Sequence, residues 1–96
     1  MTTYADLAPD EHRLDGARND SHDGAAAGDV DGRILWLVRH RLRPRASANG
    51  GWDQLFIDPR DDRYWELTFP RGTLFGGGPR QLTALSYAEA AAKYGV

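Results

Sequence analysis

Two groups of side chains lie close enough in the sequence to suggest chemistry. Asp20, His22 and Asp23 place three metal-type donors within four residues, and Asp58, Asp61 and Asp62 place three carboxylates within five. The first group falls in the run from Asn19 to Gly28, rich in turn formers and small residues, without the rigid spacing and supporting shell of a metal site. The second lacks the glycine and the distal glutamate of a calcium loop. Both read as solvated loops. Gly76, Gly77 and Gly78 invite comparison with a phosphate loop, but no lysine and hydroxyl ending follows, and Pro79 stands where a helix would begin donating N–H groups. Hydrolysis or group transfer needs a nucleophile beside a base, a metal cluster or paired carboxylates on a rigid element. His12 and His22 lie in the N-terminal arm, His40 lies among arginines with no acid beside it, and Glu66 is an isolated strand carboxylate. The residues therefore predict a protein that is not an enzyme, binds no metal and uses no cofactor.

Size and composition bound what such a chain can be. With 96 residues, 41% of them hydrophobic and ten aromatic, one packed core is affordable and a second is not. No apolar run approaches the ~20 residues of a membrane span. Cysteine is absent, and the start MTTYADLAPDEH has neither the basic beginning nor the apolar centre of a secretory signal. The expectation is a soluble, cytoplasmic protein. Charge is unevenly spread: residues 1–31 carry eight acids against two arginines, a net of −6, and residues 32–96 carry ten bases against six acids, a net of +4.

The elements that must position any site follow from local signals. Residues 1–28 are predicted to be a loose acidic arm, with room for one short strand near Leu14–Arg18. Asp29 or Asp31 offers an N-cap, and Val30, Ile34, Leu35, Leu37, Val38 and Leu42 share one face, which predicts the main helix over about 30–43, ended by Pro44. Its other side carries Trp36 with Arg33, Arg39, His40 and Arg43, and the indole is expected to cover the N-terminal arm. Asn49-Gly50 predicts a tight turn between a strand near Arg45–Ala48 and one over Trp52–Ile57. The run Asp58 to Asp62 then turns that strand back onto Arg63–Phe69. Arg80–Ser86 reads as a last strand. Ser86 and Glu89 form a capping box, so a short C-terminal helix runs over about 87–94 and Gly95 stops it. The fold class is α+β: a small antiparallel sheet of about 4–5 strands with the main helix packed on one face, residues 29–96 forming a single domain.

A five-residue connection pairs Ile57 with Arg63, Phe56 with Tyr64, Leu55 with Trp65 and Gln54 with Glu66 in its simplest register. Because side chains alternate, Leu55, Ile57, Trp65, Leu67 and Phe69 would then lie beneath the helix. Trp52, Gln54, Phe56, Tyr64, Glu66 and Thr68 would lie opposite, rings interleaved with polar groups as in protein-binding patches. The predicted partner-binding residues are Trp52, Phe56, Tyr64 and Glu66, with Asp58, Asp61, Asp62 and Arg63 at the adjoining turn.

The run Gly51-Trp52, Leu55-Phe56, Asp58-Pro59, Arg63-Tyr64-Trp65-Glu66-Leu67-Thr68-Phe69-Pro70, followed by Gly76-Gly77-Gly78-Pro79, Leu82 and Lys93-Tyr94, resembles the immunity protein 27 family of bacterial polymorphic toxin systems. The helix segment Ile34-Leu35-Trp36-Leu37-Val38 is also similar, so the likeness spans about residues 30–96. Asp62 stands where the family pattern leads one to expect glycine. The resemblance implies a small cytoplasmic antidote that binds and neutralises one cognate toxin domain, as a monomer or weak homodimer. A nucleic-acid-binding module on the basic Trp36 side of the helix is the alternative, disfavoured by the acidic arm and a pI near 5.8.

Overall fold

The protein is described by a computed structural model over residues 4–16, 30–69 and 80–96. The loop with Asp20, His22 and Asp23, and the run holding Gly76, Gly77 and Gly78, lie outside the described residues. The elements are β1 (Arg13–Asp15), α1 (Val30–His40), β2 (Arg43–Ala48), β3 (Asp53–Ile57), β4 (Tyr64–Thr68), β5 (Gln81–Leu85) and α2 (Tyr87–Tyr94). The five strands form one antiparallel sheet in the order β1-β5-β4-β3-β2. With its two helices this is the expected α+β fold.

Helix α1 stops at His40, earlier than the apolar pattern suggested. Leu42 N–H still reaches the Leu37 carbonyl at 2.8 Å, but Pro44 is already inside β2. Ile34 and Leu37 are fully buried and pack with Leu14, Phe56, Trp65, Leu67 and Leu82 from one face of the sheet. Each such aliphatic side chain contributes roughly 1.5–3 kcal/mol through removal from water. Asn49 and Gly50 take φ of 53° and 68°, as an Asn-Gly turn requires, and Gly51 adds a third positive value of 94°. They return β2 onto β3.

The β3–β4 register differs from the expected one by a single residue. Ile57 pairs with Tyr64, Phe56 with Trp65, Leu55 with Glu66 and Gln54 with Leu67. The cause is in the turn. Asp58 N–H donates to the Arg63 carbonyl at 2.9 Å, so only Pro59 to Asp62 form the loop; Asp62 N–H closes onto the Asp58 carbonyl at 2.7 Å. Asp62 adopts φ of 61° to do so, the left-handed conformation in which glycine is easiest and aspartate tolerable. Asp62→Val should therefore cost about 1–2 kcal/mol, since a β-branched side chain fits that region poorly. Asp62→Gly should fold with a urea midpoint no lower than wild type.

One residue of slip exchanges the faces of β3 while those of β4 stay as expected. Phe56, at 5% exposure, joins the core under α1, whereas Leu55, at 0%, lies on the opposite face. That second face is covered by α2, which packs over β2 and β5 and buries Ala90. Lys93 is the polar link between them. Its ammonium pairs with Glu66 and, at 2.9 Å, with Asp53; both carboxylates are mostly shielded from water. The Tyr94 hydroxyl donates to Glu66 at 2.7 Å. Hydrogen bonds to Glu66 and Asp53 hold Lys93 above its ordinary pKa, and burial followed by the Glu66 contact does the same for Tyr94. At the start of α2, Ser86 Oγ accepts from Glu89 N–H at 3.1 Å and Glu89 Oε1 accepts from Ser86 N–H at 2.9 Å. The capping box is formed as its sequence predicts. Ser86→Ala should lower the stability measured in urea by about 1 kcal/mol.

Residues 4–16 are docked, contrary to the loose arm expected. Leu7 is 2% exposed and Leu14 8%. β1 pairs with β5 at Arg13–Thr83, Leu14–Leu82 and Asp15–Gln81. Three arginines from the body donate to backbone carbonyls of this segment. Arg33 donates to the carbonyls of Ala5 and Asp6 and to both oxygens of Glu11, Arg60 to the Leu7 carbonyl, and Arg63 to those of Ala8 and Glu11.

Candidate functional site

Strand register decides which predicted site residues meet. Arg43 pairs with Ile57, Ile57 with Tyr64 and Tyr64 with Leu85, so these four mark one end of the sheet. The β3–β4 turn leaves from that end, and α2 starts there, just after Leu85. The arm arrives there too, because Ala84 N–H donates to the His12 carbonyl at 2.8 Å. The C-terminus of α1 is held close by: Arg41 and Arg60 reach the Asp6 carboxylate at 3.0 and 3.8 Å.

The end so assembled exposes the carboxylates of Asp10, Asp61 and Asp62 beside an aromatic pair. Tyr64 and Tyr87 lie 6.0 Å apart, and Tyr87 is 70% exposed. Burial pushes the Asp61 pKa upward, but hydrogen bonds from the Arg63 backbone and guanidinium outweigh it and hold the group below its ordinary range. Asp61 is therefore charged in neutral solution. Rigid rings flanked by charge are the composition of a protein contact.

Asp61, Asp62 and Tyr64 thus come together at the surface, whereas the other five predicted residues are placed elsewhere or occupied. Phe56 is in the core, a correction that follows from the register. Asp58 is 2% exposed and builds the turn from inside, accepting from Arg60 N–H at 3.0 Å and from its guanidinium at 3.2 Å. Arg63 is engaged with the arm and Asp61, its guanidinium 4.8 Å from the Trp65 ring. Glu66 is held by Lys93 and Tyr94. Trp52 lies at the other end of β3, 52% exposed, with its ring edge-on to Phe69 at 5.7 Å. Trp36 is half-buried against Tyr4 at 6.0 Å, the cover expected from the arm, and Arg41 lies 5.1 Å from its ring.

Among the described residues, no group of three or more His, Cys, Asp and Glu comes together to hold a metal ion, and no helix is long and apolar enough to cross a membrane. A family model, immunity protein 27, matches residues 20–86, more than half of the chain. The chain belongs to the immunity protein 27 family. Neither curated proteins nor solved structures give a match. Families of this kind bind a toxin partner and are generally non-enzymatic. In this immunity protein 27 family member the matched segment spans α1 and β2 to β5, so Asp61, Asp62 and Tyr64 belong to it. Tyr87 and the docked arm lie just outside. In sequence Tyr87 is only the first residue of a capped helix, and no local signal there shows that its ring lies 6.0 Å from Tyr64.

Proposed function

We infer that this protein is an antidote that binds and neutralises one cognate toxin domain of a bacterial polymorphic toxin system in the cytoplasm. Membership of the immunity protein 27 family carries this reading. The contact surface is the sheet end at which Asp61, Asp62 and Tyr64 meet Tyr87. A toxin docks there by placing its surface on the two tyrosine rings, with the turn carboxylates setting orientation. Tight inhibition requires roughly 800 Å² buried on each partner, anchored by a few such residues. Inhibition follows from occupation of the toxin surface, without chemistry by the antidote.

The test is co-purification of the tagged protein with the C-terminal domain of the large secreted protein encoded beside it, together with growth of cells expressing that domain. A one-to-one complex that restores growth is expected. The double substitution Tyr64→Ala/Tyr87→Ala should keep the fold, since neither ring is in the core, and abolish protection. Protection equal to wild type by that folded variant would remove this end of the sheet as the site.

A further inference from the structure

Among the described residues, positive charge is compensated except along one edge. Of the ten described lysines and arginines, Arg13, Arg33, Arg41, Arg60, Arg63, Arg80 and Lys93 each form an ion pair. The other three, Arg39, Arg43 and Arg45, have no carboxylate partner among the described residues, and all three are exposed. They lie within seven residues, where α1 hands over to the outermost strand β2. The stretch from Gly32 to Trp52 contains five arginines and no acid; of these, Arg33 and Arg41 take their carboxylates from the arm.

Strand β2 has no neighbour on its outer side in the described sheet. Its pairing with β3 shifts between Pro44 and Ala46, leaving Arg45 as the bulged residue. At that bulge a groove of about 460 Å³ opens, lined by Arg45 with Pro44, Ala46, Ser47, Gln54 and the neighbouring core residues. Proline and a bulge make the edge a poor template for another strand, because one N–H is missing and the ladder is interrupted. The edge is therefore suited to receive side chains. Arginine suits carboxylates best, through its planar fork of donors.

Building on the antidote reading, we propose that the β2 edge, through Arg43 and Arg45, is a second part of the toxin contact and receives an acidic segment of the toxin domain. Arg43 begins at the same sheet end as Asp61 and Tyr64, so one partner spans both. Carboxylate turn and arginine edge then present opposite charges to a single surface, which fixes docking orientation and speeds encounter.

Binding of the neighbouring-gene toxin domain is measured by stopped flow at low and high salt for wild type, Arg43→Glu/Arg45→Glu and Arg43→Lys/Arg45→Lys. Circular dichroism checks folding. Expected is association at least 10-fold slower for the reversed pair at low salt, a gap that narrows as salt screens it, and substantial recovery in the lysine pair. Unchanged association by the folded reversed variant overturns the edge contact but leaves the antidote reading standing. No complex with wild type removes that reading and the edge contact together. Two further outcomes also overturn the proposal: salt-sensitive binding of a labelled single-stranded oligonucleotide, or a salt-sensitive homodimer, lost in the reversed pair while toxin association is unchanged.

Discussion

Phe56→Ala is expected to lower unfolding stability by about 3–5 kcal/mol, the cost of deleting a buried ring and leaving a cavity in a packed interior. Phe56 is 5% exposed, faces Trp65 across the β3–β4 pair and belongs to the cluster beneath α1. Urea unfolding followed by tryptophan fluorescence measures this directly, since Trp65 is its cross-strand neighbour. The neighbouring Tyr64→Ala, half-buried on the other face, should cost markedly less. The contrast is a test of register. In the simplest pairing of a five-residue turn, Phe56 would be a surface residue and its loss nearly silent. A cost below about 1 kcal/mol would return Phe56 to the surface and displace the face assignment.

Arg33→Met is expected to release the N-terminal arm and remove about 2 kcal/mol, less than for a fully buried ion pair because both side chains keep some contact with water. The substitution keeps the aliphatic stem and removes four hydrogen bonds, two to Glu11 at 2.7 and 2.8 Å, one at 2.9 Å to the Ala5 carbonyl and one at 2.8 Å to that of Asp6, and with them the Arg33–Glu11 ion pair. Here the count of guanidinium contacts matters less than their target: they tie residues 28 and 27 positions away in sequence to the main helix. Glu11 reports the same link through pH. The Arg33 hydrogen bond, opposed by burial and helped by the Ala8 N–H, holds its folded pKa below the ordinary 4.5. Its contribution is thus complete above that value and is lost as pH falls through the depressed folded value. Wild type should lose stability on acidification below pH ~4.5 more steeply than Arg33→Met. Parallel acid profiles for the two proteins, or an amide-exchange pattern over residues 4–16 unchanged by the substitution, would show that Arg33 does not hold the arm.

Legibility in the sequence followed the range of the physics. The α2 capping box could be read from Ser86, Glu89 and Gly95 because a helix end is satisfied within one turn of chain. The Asn49-Gly50 turn could be read for the same reason, and the neighbours β2-β3-β4 follow from two consecutive short connections. Charge asymmetry and the basic stretch before Asp53 are properties of the sequence itself. The family pattern in β3 to β5 was visible for a related reason: strand and turn residues at fixed spacing form a local signature.

What only the tertiary structure decided depends on single residues with long-range consequences. Whether the β3–β4 connection holds four residues or five turns on the backbone of Asp62, and every side chain of β3 changes face relative to β4 with it. Propensity alone leaves an aspartate there free to be either left-handed or extended. The arm gave little apolar signal before Leu14, yet Leu7 is buried and arginines from α1 and the β3–β4 turn complete the docking. Such carbonyl contacts are invisible in sequence because the acceptors are backbone, common to every residue. Pairing had the same character: ten of the cations look alike in sequence, and only the fold gives seven of them carboxylates and leaves Arg39, Arg43 and Arg45 without one among the described residues. Local sequence thus determined the elements and the family, and three-dimensional pairing determined which face, which charges and which end of the sheet are available to a partner.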